Sequence, residues 1–497
     1  MATPNKKPWN LRFALTGCLA VSVLAAIPAS NAQKTSLRPG QNGVRVYKPV
    51  RPDFWKNIQM LIDSKKPKEA FGFAKPSSGV GAEIEEWKVA LARAMVAAGQ
   101  PLHAQYWLSS LVTQSVATRQ GFEALSVINE IGKATPFDEI QMEELAFDLD
   151  TKIDDAEPRA MIAYYKARAL QRKGYSDWSQ QALKDLGTGN AWSEELDYDR
   201  TLQILASGDA ATAYGHFETL AKSTVARQPT AKLSRLAVAR LIFERRDYKA
   251  AIEMFRDAEL PIRERARSIQ ELAWSYYYEK SYGKALGAIK ALKSSYFARL
   301  LSPETLLLEM LIYRELCHYQ RIKALAVDFQ KVFSDVYRSI EGRLPLETVP
   351  SIIQAALQEG VLQKRAQVIQ QLRLERRELK KQRWMDEETR NELVKWGERR
   401  ERITDLEVQR LLRARVDGIA NSFLDMREQV WYLEYEANLR LIQQQETLVP
   451  DYEPPQKNKT QPDNFFWPVG KEAWLDELLH YEVLVKGTCT PNAKGSP

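Results

Sequence analysis

The side chains best suited to chemistry are thinly spread in this chain. Its four histidines, His103, His216, His318 and His480, stand apart, and none has a cysteine, a second histidine or a carboxylate at zinc-ligand spacing. No glycine-rich phosphate loop, nucleophile elbow or HExxH helix occurs. Acids such as Glu387 and Glu388 read as solvated helical faces, and no pair is set for glycoside hydrolysis. No catalytic residue, metal or cofactor is therefore assigned, and the expectation is a binding protein rather than an enzyme.

The cysteines say more. Leu15-Thr16-Gly17-Cys18 has the form of a lipid-attachment box, which would place a lipid on Cys18. Only about five residues separate it from Arg12, too few for the apolar segment such a box needs, so a lipoprotein is the lesser reading. Cys317 and Cys489 are the other two. In an oxidising compartment they could pair and close a very long loop, or they are unrelated thiols, one in a helix and one in a tail.

The elements that would position such residues read as follows. Lys6, Lys7 and Arg12, the apolar run Phe13 to Ile27, Pro28 and the small residues up to Ala32 form a secretory signal over 1–32. The run falls short of the ~20 residues that span a bilayer. Residues 33–52 are a polar, proline-bearing linker. From 53 to 335 apolar residues recur at helical spacing with short polar breaks, and nothing alternates as a strand would. The formal charge of +7, from 71 basic and 64 acidic residues, favours a mixed surface and by itself predicts neither nucleic-acid nor membrane binding; export makes a nucleic-acid partner unexpected.

Within 231–298 the chain repeats itself. Ala239 aligns with Ala273, Tyr248 with Tyr282, Ala251 with Ala285, Phe255 with Ile289 and Ala258 with Leu292. Small residues where two helices cross and large ones at the ends are what close antiparallel packing requires. This pattern resembles the tetratricopeptide repeat, whose period is about 34 residues. The resemblance implies an all-α helical solenoid whose first helices line a groove. Arg240, Phe243, Arg267, Gln270, Trp274, Tyr277 and Tyr278 are then the candidates for binding a partner there.

Residues 352–448 are expected to form a long helical hairpin turning near Met385, its second helix about 60 residues and so roughly 90 Å long, or broken at Gly397 or Gly418. The basic run Arg373 to Arg383, interrupted by Glu375 and Glu378, reads as a solvated face. Val416, Phe423, Val430 and Ala437, with Leu412, Ile419, Met426 and Leu433, form the seam of a coiled coil and imply a coiled-coil partner.

A Pro-rich linker over 449–464 leads to an aromatic module, 465–497. Trp467, Trp474 and Tyr481 are its binding candidates. Trp467-Pro468-x-Gly470-x-Glu472-x-Trp474-x-Asp476-Glu477-Leu478-x-x-Tyr481, closing with Cys489, is similar to the C-terminal signature of exported repeat proteins of the myxobacterial adventurous gliding-motility type. That resemblance implies a periplasmic or outer-membrane-associated scaffold for envelope proteins, with peripheral membrane association left open. The alternative is an accessory regulator of a peptidoglycan synthase or hydrolase, or of outer-membrane assembly.

Overall fold

The computed structural model describes residues 60, 82–115, 118–133, 137–149, 153–256, 262–297, 300–357, 360–382, 385–443 and 480–489. The expected leader, both linkers, Cys18, Trp467 and Trp474 lie outside the described residues. Among the described residues regular structure is entirely helical, with nineteen α-helices and no strand. None of these helices is long and apolar enough to cross a membrane. The described residues divide into two compact units, one drawn from positions up to 234 and from 360–409, the other from 235–357, 410–443 and 480–489.

The first unit begins with α1 (Ala82–Ala97), α2 (Pro101–Ser115), α3 (Arg119–Lys133), α4 (Glu139–Asp148), α5 (Ala156–Arg172), α6 (Ser176–Ala182), α7 (Ala191–Ala206), α8 (Ala210–Lys222) and the start of α9 (Gln228–Glu244). Most consecutive helices pack on one another, as in a solenoid. Their core is rich in large side chains, with Trp192, Tyr164, Tyr165, Leu91 and Met95 almost wholly buried.

The second unit continues with the rest of α9, α10 (Tyr248–Arg256), α11 (Ile262–Tyr278), α12 (Tyr282–Leu292), α13 (Pro303–Glu315), α14 (Tyr319–Val332), α15 (Ser334–Glu341) and α16 (Pro350–Ala356). The small residues expected at helix crossings, Ala239, Ala251, Ala273 and Ala285, are buried, as are the plugs Phe255 and Ile289. Ala258 lies outside the described residues.

One turn recurs along both units. A residue with positive φ ends a helix at Gly174, Gly208, Arg246, Lys280 and Cys317. In each case the next amide reaches back to the last turn: Tyr175 to Leu170, Asp209 to Ile204, Asp247 to Ile242, Ser281 to Tyr276 and His318 to Tyr313. These are Schellman caps, which satisfy carbonyls that a helix end would leave bare. Glycine takes the left-handed conformation freely at the first two turns, whereas Arg246, Lys280 and Cys317 adopt it against a penalty of about 1 kcal/mol.

Beyond residue 358 the chain returns to the first unit with α17 (Gly360–Lys381) and α18 (Glu387–Arg413), then to the second with α19 (Val416–Gln443). α17 and α18 form an antiparallel hairpin, and the basic run is its zipper. Arg373 meets Glu401 at 2.6 Å, Arg376 meets the same carboxylate at 3.0 Å, and Lys380 lies 3.5 Å from Glu398. The single 60-residue helix expected after Met385 is instead two helices, parted by a turn at Ala414 and Arg415. Neither Gly397 nor Gly418 breaks a helix. Gly397 is small because the His103 ring lies against it, where a Cβ would come within 2.7 Å of Nε2.

The hairpin is tied to helix ends in its own unit. Glu375 of α17 accepts the Leu102 and His103 amides at 3.1 and 3.0 Å, capping α2, and its Oε2 lies 2.6 Å from His103 Nδ1. Arg400 of α18 grips Asp138, the N-cap of α4, through contacts of 2.5 and 2.9 Å. Both pairs are buried, and in the Arg400–Asp138 ion pair each charge depends on the other.

Candidate functional site

The C-terminal segment of the second unit is the feature that ordinary core packing does not require. Residues 481–489 carry no regular structure, yet Tyr481, Val483 and Val485 are half-buried while Glu482, Leu484 and Lys486 are exposed. Alternation of this kind is that of an extended chain with one face on a surface. The buried face joins the hydrophobic cluster built by α9 to α13.

Two glycines make the seat. Gly283 and Gly287 stand one turn apart on α12, so both present bare backbone on one side of the helix. A Cβ at Gly283 would lie 2.8 Å from the Val483 carbonyl oxygen, and one at Gly287 would overlap the Tyr481 carbonyl. The segment can therefore lie closer to α12 than any side chain would permit, and Val483 N–H donates to the Gly283 carbonyl at 3.0 Å.

Further along, the turn between α13 and α14 takes over. His318 Nε2 lies 2.7 Å from the Lys486 carbonyl, and since a carbonyl only accepts, that nitrogen carries the proton. Thr488 N–H donates to the Leu316 carbonyl at 2.9 Å, supplying a partner at the C-terminal end of α13. The Thr488 hydroxyl lies 3.1 Å from the Cys317 carbonyl. A disulfide joins Cys317 to Cys489, their Cα atoms 5.1 Å apart. Of the two alternatives the sequence left open, the structure contains the bridge.

The residues expected to line a groove gather around two carboxylates, the buried Glu271 and the half-buried Glu304. Arg240 contacts Glu271 at 2.9 Å through Nε, and Arg267 lies 3.4 Å from the same oxygen. Gln270 and Trp274 donate to the two oxygens of Glu304 at 2.6 and 2.8 Å. Ser302 donates to Gln270 at 2.8 Å. Phe243 and Trp274 are core residues, and Tyr277 and Tyr278 are half-buried in an aromatic series in which Tyr278 stacks on Tyr248 at 5.1 Å. These side chains are engaged with their own neighbours. Burial pushes the Glu304 carboxyl up to about 7, against the opposing hydrogen bond from Trp274.

Most of the coiled-coil seam is buried too, Ile419 and Met426 only in part, on helices of its own unit. Leu412, Val416, Phe423, Val430, Leu433 and Ala437 are covered, and α19 packs on α13, α14 and α16. Tyr337 of α15 donates to the Phe423 carbonyl at 3.2 Å. The opposite face of α19 tells a different story. Trp431 is 57% exposed, Tyr432 54%, Tyr435 52% and Ile442 72%, with Leu439 beside them. Tyr432, Tyr435, Leu439 and Ile442 follow a second heptad spacing that points outward. Trp431 stacks on Tyr435 with centroids 5.8 Å apart.

Sequence reasoning passed over Gly283 and Gly287, although a glycine pair four residues apart on an expected helix is itself a signal of close backbone approach. It also passed over Glu271 and Glu304, whose partners are set by packing between helices. Among the described residues no three His, Cys, Asp or Glu side chains gather as a metal site would require. Comparison with protein-family models, with curated proteins and with solved structures returned no match.

Proposed function

We propose that the protein is an exported, non-catalytic scaffold that holds partner proteins in a cell-envelope complex, with a tetratricopeptide-type array as its frame. The observation that carries this reading is the outward face of α19. Its inner seam is already engaged, and a second apolar seam of Trp431, Tyr432, Tyr435, Leu439 and Ile442 faces solvent. Contiguous exposed aromatic surface of this kind marks protein contacts. Exposed Asp425 and Glu428 share that face, so the partner suited to it is an amphipathic helix carrying basic residues beside its apolar stripe.

Export is supported by the leader-like start of the sequence and by the Cys317–Cys489 bridge, a bond that persists in oxidising compartments. The recurrent helix-ending turns from Gly174 to Cys317 support the repeat reading. The resemblance of the tail favours the gliding-motility class of envelope complex.

A photo-crosslinking residue placed at Tyr432 or Tyr435 in living cells tests the proposal, with Ser422, exposed elsewhere on α19, as the control. Discrete adducts with envelope proteins from the first two sites, lost when Trp431→Glu is added, are expected. Adducts no different from those of the Ser422 control would refute it.

A further inference from the structure

The outward face of α18 is the chemical complement of the outward face of α19. Lys395, Arg399, Arg402, Ile403 and Leu406 follow one another at helical spacing along α18. All five are exposed, Ile403 at 52% and Leu406 at 65%. Among the described residues none of the three cations is in an ion pair, and neither are Asp425 and Glu428 of α19. A basic stripe beside an apolar one is the chemistry that the α19 face calls for. We propose that a second copy of this chain supplies it, α18 of one molecule lying along α19 of the next. The inference rests on the reading of the outward α19 face as a docking surface.

The order of the residues fixes the direction. Arg399, Arg402 and Leu406 are spaced by three and then four residues, and so are Asp425, Glu428 and Tyr432. In parallel alignment Arg399 faces Asp425, Arg402 faces Glu428, and Leu406 meets the aromatic stretch that begins at Trp431. Opposite charges flanking an apolar seam in this way set both partner and orientation. Antiparallel alignment would instead lay Leu406 against the acids and leave the arginines on the aromatic end.

The covalent chain excludes the same pairing within one molecule. The members of each pair are 26 residues apart in sequence, roughly 39 Å along a helix. The turn at Ala414 and Arg415 is too short to carry the chain back over that distance, so the partner is another copy. The contact is heterologous, one copy giving α18 and the other α19, and each addition leaves one face of either kind free. Copies therefore add head to tail, into a closed ring or an open row.

Sedimentation velocity of the oxidised full chain over a concentration series tests the assignment. Concentration-dependent assembly that weakens with added salt is expected. Arg399→Glu/Arg402→Glu and Asp425→Lys/Glu428→Lys should each weaken self-assembly by about tenfold or more, because like charges then oppose. Mixed in equal amounts, the two variants should assemble again, the acidic α18 of the first meeting the basic α19 of the second and the reverse. A parent that stays a single species at every concentration, or variants that fail to recover on mixing, would overturn the proposal. Crosslinks from Tyr432 to other envelope proteins and none to a second copy would sink self-assembly while leaving the docking role of α19 in place.

Discussion

Gly287 lies directly beneath the Tyr481 carbonyl, so closely that no larger residue fits between α12 and the C-terminal segment. Gly287→Ala should therefore unseat residues 481–489 and lower stability by about 1–3 kcal/mol, as overpacking does. Hydrogen exchange at the Val483 and Thr488 amides should rise sharply. A variant in which those amides stay protected would show that the segment is held elsewhere.

The bridge from Cys317 to Cys489 closes a separation of 172 residues. Its removal by Cys317→Ser should reduce stability by about 2–4 kcal/mol, the usual range for a native disulfide. Denaturant unfolding of the variant and of the parent with and without reductant makes the check. Coincident curves for oxidised and reduced parent would contradict it.

Arg400 and Asp138 depend on each other in the first unit. Arg400→Met leaves the Asp138 carboxylate buried without its counter-charge and should cost about 3–5 kcal/mol. The double substitution Arg400→Met/Asp138→Asn should recover much of that loss, because no charge is then stranded. Additive effects in the double-mutant cycle would mean that the two side chains are not coupled.

Glu304 gives the second unit a pH dependence. Its folded-state value of about 7 lies above the ordinary 4.5, so the folded state holds the proton more tightly than the unfolded chain. The stability linked to this group is full below about 4.5 and is lost as pH rises through 7. Glu304→Gln should flatten that fall in thermal scans between those limits. An identical pH slope in the variant would assign the dependence to other groups.

The repeat was legible because small residues at a fixed period have one physical cause, helices that cross closely, and Ala239, Ala251, Ala273 and Ala285 are buried where that cause requires. The heptad from Val416 to Ala437 likewise marked the mostly buried stripe of α19. Periodicity identifies a covered face but not its cover, which here is α13, α14 and α16. Arg240 and Arg267 share Glu271, and Trp274 meets Glu304. Arg267 meets Glu271 four residues along its own helix, whereas Arg240 reaches Glu271 and Trp274 reaches Glu304 across some thirty residues, which spacing within one helix does not encode. The left-handed turns at Arg246, Lys280 and Cys317 carried no glycine to announce them. For Tyr481 the sequence pointed to an aromatic module, and the structure places it at the start of an extended strip.

The Cys317–Cys489 bond has a mechanical consequence. It makes the chain from α14 through α19 part of a closed covalent ring. Tension applied between the start of the chain and a point beyond Cys489 passes from sulfur to sulfur and bypasses the ring. The helices inside it are shielded from extension, and only the segments before Cys317 and after Cys489 can lengthen under load. A chain held at its two ends would in this way keep its outward α19 face intact while being pulled.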